Sequence, residues 1–202
     1  MMKKFLVQIA GLFFVAIMIY ACGNPVEEDE QEQEQIRQDS INQATIDTEI
    51  INDYILDNNL DQYDITVTET GLSYLTLDGG NGERYPAIND ILTVDYIGSF
   101  VDGEIFDTSI KQIAEDNDIV NSSNPYTPIA YNHTHNGLGI GTTFVRGFSE
   151  GLQELVPTLS VDGVGLLIMP SALAYGPAGS ASGTIPANSV IIFEIRLEGI
   201  RP

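Results

Sequence analysis

The C-terminal two thirds of the chain contain several strand-like segments and only one segment with helical periodicity. This pattern constrains the fold more than any other feature of the sequence. Strands are expected at 71–77, 91–100, 164–169 and 190–197. Phe148, Leu152 and Leu155 instead recur at the spacing of one helix face. One apolar helix face among several strands predicts an α+β arrangement in which the helix lies against a sheet.

An apolar segment begins close to the N-terminus. Lys3 and Lys4 precede residues 5–21, in which Gln8 is the only strongly polar side chain. A charged region followed by an apolar one is typical of an export signal, so residues 1–21 are expected to form a signal peptide. A transmembrane anchor is the alternative, because a run of this length is at the lower limit for spanning a bilayer.

Cys22 directly follows this segment and is the only cysteine of the chain, so it has no disulfide partner within it. The five residues 19–23 (IYACG) resemble a bacterial lipoprotein box. The resemblance implies cleavage before Cys22 and attachment of a lipid to it. We therefore expect an envelope protein held by its lipid, with the periplasmic or surface face of the outer membrane as its location.

A glutamine-rich acidic tract occupies residues 27–35 and has no apolar side chain. Such a tract cannot bury enough surface to offset the entropy lost on ordering, so residues 22–35 are predicted to be a disordered tether. A sorting signal for surface display is the alternative. The formal net charge of -21 also argues against nucleic acid as a partner, because its phosphates would be repelled.

Residues 36–64 are predicted to form an N-terminal helical arm. Apolar residues at helical spacing define one stripe, which consists of Ile46, Ile50, Ile51, Tyr54 and Ile55. Acidic residues define the other face, namely Asp47, Glu49, Asp53 and Asp57. The stripe has two alternative partners, the rest of the chain and a second copy of it.

Five segments with characteristic residues follow one another in the C-terminal region. They are 94–98 (VDYIG), 102–109 (DGEIFDTS), 144–152 (FVRGFSEGL), 173–176 (LAYG) and 183–188 (GTIPAN). Together they resemble the FKBP-type peptidyl-prolyl cis-trans isomerases. The resemblance implies one domain over residues 65–202, with an antiparallel sheet wrapped around one short helix. It also implies an insertion at about residues 111–140, which is expected to be irregular surface chain.

The resemblance further implies an aromatic pocket for X-Pro peptide bonds. Its walls would be Tyr96, Phe106, Phe148, Ile185 and Phe193, with Phe148 as the floor. Asp107 would lie at the rim, and the Val145 N–H and the Tyr175 hydroxyl would bind substrate carbonyls. Phe148 stands where tryptophan is common in the family, and Lys111 is the candidate for the basic partner that often accompanies the rim aspartate.

The implied function is prolyl isomerisation that assists the folding of exported proteins. Its partners would be proline-containing unfolded or partly folded polypeptides, with macrolides as candidate inhibitors. No cofactor or metal is expected, because the barrier to isomerisation comes from amide resonance and requires no nucleophile. The alternative is a non-catalytic peptide-binding module or holdase chaperone that uses the same pocket.

Two other patterns suggest different chemistry. Residues 147–151 match the G-x-S-x-G elbow of serine hydrolases, but that triad needs a histidine after the serine, and His133 and His135 both precede Ser149. These two histidines also have a spacing that could ligate a metal. Their polar surroundings favour solvated side chains instead.

The lipid at Cys22 can be tested directly. Replacement of Cys22 by alanine is expected to move the protein from the detergent phase to the aqueous phase, or to leave the signal uncleaved, because the acylation site is lost. Detergent phase partition and N-terminal mass analysis measure both effects. Unchanged partition of the variant would instead support a transmembrane anchor.

Overall fold

The computed structural model describes residues 25–134 and 144–202. Three α-helices lie in these ranges: α1 (Pro25–Asp57), α2 (Lys111–Asp116) and α3 (Arg146–Leu155). The seven strands there are β1 (Thr66–Val67), β2 (Ser73–Asp78), β3 (Ile91–Phe100), β4 (Ile105–Thr108), β5 (Ile129–Asn132), β6 (Val164–Met169) and β7 (Ile191–Arg201). Within the described ranges, none of the helices is long and apolar enough to cross a membrane. The predicted signal peptide and Cys22 lie outside them.

All seven strands form one antiparallel sheet, with the order β1-β2-β6-β7-β3. Strands β3 and β7 pair over ten positions, from Ile91 opposite Arg201 to Phe100 opposite Ile191. The other edge of β3 is shared, since residues 91–94 pair with β5 and residues 97–99 pair with β4. The predicted α+β class is confirmed, and β3 and β6 have the predicted bounds.

Helix α3 packs on one face of the sheet through its apolar side. Phe148, Leu152 and Leu155 are buried there in the main hydrophobic core. Gly147 and Gly151, four positions apart, bring the helix backbone close to β6. A Cβ atom at Gly147 would lie 2.5 Å from the Met169 Sδ, and one at Gly151 would lie 2.5 Å from the Leu167 Cδ1. A side chain at either position would overlap Met169 or Leu167 and force that side chain or the helix to shift.

The C-terminal part of α1 packs on the opposite face of the sheet. Side chains alternate between the faces along a strand, and in β6 Leu166 and Ile168 belong to the second cluster while Leu167 and Met169 belong to the first. Ile51 of α1 is buried in that second cluster. This part of the helix belongs to the compact unit Ala44–Pro202. The apolar stripe therefore packs on the rest of the chain, which is one of the two partners considered for it.

The buried stripe of α1 differs from the prediction at its N-terminal end. Ile46, assigned to the apolar face, is 48% exposed, whereas Asp47, assigned to the acidic face, is only 1% exposed. Between residues 44 and 57, the less exposed positions are 47, 50, 51, 54 and 55. These positions have the regular i, i+3, i+4 spacing of one helix face. Asp47 can occupy this face because its carboxylate is hydrogen-bonded to Ser171.

The predicted disordered tether is helical in the structure from its fourth residue. Helix α1 begins at Pro25, so the acidic tract of residues 27–35 forms its first turns and belongs to the unit that ends at Gln43. The Glu34 carboxylate accepts hydrogen bonds from Arg37 and Gln38. Glutamate and glutamine are good helix formers, and such pairs stabilise a helix without burial. The low hydrophobicity argued against a packed core but did not exclude an exposed helix.

The predicted insertion also contains regular structure. Instead of irregular chain throughout, its described part includes the short helix α2 and the strand β5. Strand β5 is formed because residues 129–132 pair with the N-terminal half of β3, along the edge that β7 does not use. Tyr131 from β5 is buried in the main core.

Two isoleucines of α1 test which face of the helix is docked. Ile51→Ala is expected to lower the free energy of unfolding by about 2–5 kcal/mol, because it leaves a cavity in the second cluster. Ile46→Ala, in an exposed position of the same helix, is expected to change it by less than about 0.5 kcal/mol. Urea denaturation followed by circular dichroism measures both. Equal effects of the two substitutions would contradict the observed register.

Candidate active site

A cavity of about 410 Å³ lies among α3, strands β3, β4 and β7, and the loop that follows β6. Its lining residues are Tyr96, Asp107, Phe144, Val145, Phe148, Tyr175 and Phe193. Six of the eight residues proposed from the sequence therefore line one cavity, although they come from distant parts of the chain. A concave site of this size with mostly apolar walls suits a small-molecule or peptide ligand.

Phe148 is the centre of the aromatic wall. Its ring centroid lies 4.8 Å from those of Phe144 and Phe193, and 5.7 Å from that of Tyr96. The rings of Phe193 and Tyr96 meet that of Phe148 at steep angles, 70° and 75°, which favour edge-to-face contacts. Phe148 is buried, with 2% of its surface exposed.

Phe106 and Ile185, the other two proposed wall residues, do not line this cavity. Phe106 packs edge-to-face on Phe193, with centroids 5.7 Å apart, and lines an adjoining cavity of about 280 Å³. Ile185 is buried in the main core. Phe106 therefore lies beside the cavity against the Phe193 ring, whereas Ile185 is a core residue.

Gly98 of β3 makes room for two of these rings. A Cβ atom at this position would lie 2.8 Å from the Phe193 Cε1 and 2.9 Å from the Phe106 Cε2. Any side chain at residue 98 would therefore displace the two rings or the strand. The glycine of the segment 94–98 is explained by this close approach of aromatic edges.

Asp107 is held at the cavity by hydrogen bonds rather than by a cation. The Tyr96 hydroxyl donates to the Asp107 Oδ2 at 2.9 Å, and the Thr108 N–H donates to the Oδ1 at 2.9 Å. Lys111, the basic partner suggested from the sequence, instead contacts Glu115 at 3.3 Å. That suggestion is wrong, because the i, i+4 pair within α2 places the Lys111 ammonium on Glu115.

The segment that carries Asp107 is also fixed to β3 by hydrogen bonds of Thr108 and Ser109. The Ser109 hydroxyl donates to the Asp95 Oδ1 at 2.6 Å and accepts from the Tyr96 N–H at 2.9 Å. The Thr108 hydroxyl donates to the Tyr96 carbonyl at 2.8 Å. The F-D-T-S sequence therefore positions Asp107 and Tyr96 relative to each other. The threonine hydroxyl binds the backbone of β3, and the serine hydroxyl binds both that backbone and the Asp95 side chain.

Tyr175 reaches the cavity from the loop after β6 and is 38% exposed. Burial raises its pKa above the ordinary tyrosine value, and the nearby Asp107 carboxylate raises it further. Burial, followed by Asp107, also raises the pKa of Tyr96. Both phenols are therefore protonated at neutral pH. The hydroxyl of Tyr175 can donate to a ligand, while that of Tyr96 already donates to Asp107.

Phe144 lines the cavity although it was not among the residues proposed from the sequence. It is the first residue of the segment 144–152, which also supplies Val145 and Phe148. The resemblance gave no role for Phe144, so only its position two residues before helix α3 could have indicated it.

The structure also bears on the two competing motifs. Ser149 lies inside helix α3 and not at a strand-to-helix turn, and the glycines on either side of it pack against β6. His133 is buried, whereas the sequence had suggested a solvated side chain. His135 lies outside the described residues, within which there is no group of three His, Cys, Asp or Glu side chains suited to a metal ion.

Comparison with known proteins identifies the family. The sequence model of the FKBP-type peptidyl-prolyl cis-trans isomerases matches residues 82–198. FK506-binding protein 1 of Candida glabrata is 30% identical over 129 residues, which cover 64% of this chain and 92% of that protein. The outer membrane protein MIP of Legionella longbeachae is 31% identical over 149 residues, which cover 74% of this chain and 52% of that protein.

A second bacterial relative is longer still. The FKBP-type peptidyl-prolyl cis-trans isomerase FkpA of Escherichia coli is 29% identical over 138 residues, which cover 68% of this chain and 41% of that protein. The matched region is thus about half or less of the length of these two bacterial relatives. The crystal structure of FkpA from Escherichia coli superposes with a TM-score of 0.47 at 21% identity, over 90% of this chain and 74% of that one. Because the family's sequence model matches more than half of the residues, the chain belongs to the FKBP-type peptidyl-prolyl cis-trans isomerases.

Proposed function

We propose that the cavity around Phe148 binds X-Pro segments of unfolded or partly folded exported polypeptides and catalyses their isomerisation by desolvating and twisting the amide. One observation carries this proposal. Six residues proposed for such a pocket, from separate segments of the chain, line a single aromatic cavity. The activity itself follows from membership of the family.

The cavity has to lower the barrier to isomerisation by only a fraction of its height. The barrier to X-Pro isomerisation is roughly 20 kcal/mol and arises from the partial double bond of the amide. The twisted amide is less polar than the planar one, so an apolar cavity favours it. An acceleration of about a thousandfold to a millionfold needs only ~4–8 kcal/mol of preferential stabilisation. The rings of Phe148, Tyr96 and Phe193 provide the apolar surface for it.

Two hydrogen-bond donors would orient the substrate. The Tyr175 hydroxyl, protonated for the reasons given above, would donate to one substrate carbonyl. The Val145 N–H would donate to another, since Val145 precedes the first turn of α3, where backbone N–H groups lack intrahelical acceptors. Asp107, held by Tyr96 and Thr108, would keep the rim rigid. No covalent step is required.

The setting we propose is the bacterial cell envelope. Anchoring through a lipid on Cys22 would place the domain beside newly exported polypeptides, and one relative is named as an outer membrane protein. Macrolides are candidate inhibitors, because the name of another relative records binding of FK506. A non-catalytic holdase with the same cavity would bind proline peptides without accelerating their isomerisation.

Tyr175 provides the first test of this mechanism. Tyr175→Phe is expected to lower kcat/KM for an X-Pro peptide by a few-fold to about tenfold, because it removes one hydrogen bond worth about 1 kcal/mol. Ser149→Ala is the control and is expected to leave activity unchanged. A protease-coupled isomerisation assay measures both. Loss of activity in Ser149→Ala with none in Tyr175→Phe would refute the proposed roles.

Gly98 provides a second test, which addresses the aromatic wall. Gly98→Ala is expected to destabilise the fold by about 1–3 kcal/mol, because the new methyl group overlaps the Phe193 and Phe106 rings. Isomerase activity is expected to fall by about tenfold at temperatures where the protein is still folded.

Gly199→Ala is the matched control for this substitution. Gly199 also lies in a sheet strand, but a Cβ atom there would come no closer than 3.9 Å to Thr93. Thermal unfolding and the isomerase assay are expected to show little change. Equal losses of activity in the two variants would show that isomerase activity does not depend on the positions of the Phe193 and Phe106 rings.

A further inference from the structure

Asp47 of α1 is a buried acidic residue that contacts the loop leading to the cavity. Its Oδ2 accepts hydrogen bonds from the Ser171 N–H at 2.8 Å and from the Ser171 hydroxyl at 2.7 Å. The two residues are 124 positions apart in the sequence. Burial of a carboxylate is costly unless it is hydrogen-bonded, and bonds to an ionised acceptor are stronger than neutral ones. This contact therefore fixes the loop to the helix.

Ser171 is only four residues before Tyr175. It begins the 3₁₀ turn Ser171–Leu173, in which the Leu173 N–H donates to the Pro170 carbonyl and the Ala174 N–H donates to the Ser171 carbonyl, both at 3.0 Å. Leu173 is buried in the main core. The backbone between the Asp47 contact and the Tyr175 side chain is thus a closed, hydrogen-bonded turn. A displacement of Ser171 would be transmitted to Tyr175.

The same turn also contacts the start of helix α3. A Cβ atom at Gly147 would lie 2.9 Å from the Leu173 Cβ, so the two backbones are in close contact at this point. On the far side of Tyr175, the Asn188 N–H donates to the Gly176 carbonyl at 2.8 Å. The loop with Tyr175 is therefore held at both ends, by Asp47 before it and by Asn188 after it.

We infer that Asp47 is a positioning residue of the isomerase, which acts through Ser171 to hold the Tyr175 hydroxyl at the cavity. The inference rests on the proposed role of Tyr175. It gives α1 a part in catalysis in addition to covering the sheet. The C-terminal part of the N-terminal helix is then required for full activity, even though none of its residues lines the cavity.

The first experiment compares two variants of the full chain in detergent solution. Asp47→Ala is expected to lower kcat/KM for an X-Pro peptide by roughly threefold to tenfold, since small displacements of a positioned group reduce rates. Ile51→Ala is the matched control, because it weakens the docking of the same helix without touching Ser171. It is expected to keep its activity. Both are assayed at a temperature where circular dichroism shows them folded.

Two milder variants cover the case in which Asp47→Ala does not fold. Asp47→Asn keeps the shape and one acceptor oxygen but loses the charge, and Ser171→Ala removes only the hydroxyl bond. Both are expected to retain more activity than Asp47→Ala and less than the unmodified chain. Full activity in both, with the chain folded, would overturn the inference.

A double-mutant cycle with Tyr175→Phe separates this inference from the proposed function. If Asp47 acts through Tyr175, the Asp47 substitution is expected to cost less than about twofold in the Tyr175→Phe background. Losses that multiply independently, or an equal loss in Ile51→Ala, would overturn the inference alone. No loss in Tyr175→Phe itself would instead refute the proposed role of Tyr175.

Discussion

The close approach of helix α3 to the sheet is the constraint on which the site depends. Gly147 and Gly151 allow the helix to lie directly on Met169 and Leu167 of β6. This contact sets the depth at which Phe148 enters the core, and the rings of Phe144, Phe193 and Tyr96 gather around it. Interiors packed at crystal-like density transmit such small changes in position. A wider spacing between helix and sheet would open the floor of the cavity.

The second face of the sheet is covered by the same chain. Antiparallel sheets commonly leave one face to water, but here α1 covers Leu166 and Ile168 with Ile51 and its neighbours. The compact unit that contains the sheet therefore begins at Ala44, well before the first strand. It begins about twenty residues earlier than the resemblance indicated, because family motifs identify the pocket and not the helix behind the sheet.

The strands could be predicted from their sequence patterns, and most of the cavity residues from the resemblance of five short segments to the FKBP family. Phe148, Tyr96 and Tyr175 could be named in this way. The exact register of α1 could not be predicted from the sequence. Ile46 and Asp47 lie at the edge of the apolar stripe, and periodicity alone does not show which of them is buried. A tertiary contact with Ser171 decides between them. Likewise, the hydrogen bond from Tyr96 to Asp107 follows from strand pairing, which composition does not reveal.

Strands β4 and β5 pair with the same edge of β3, so the connection between them can vary during evolution. The chain leaves this edge after β4 and returns to it at β5, while the ladder between β3 and β7 is undisturbed. Doubling the length of a connecting loop costs only about 0.6 kcal/mol in closure entropy. Asn121, Asn124 and Tyr126 lie in this connection and line the adjoining cavity of about 280 Å³, which Asp107 also lines. Changes in this connection can therefore alter the lining of the adjoining cavity while the pairing of β3 with β7 is kept.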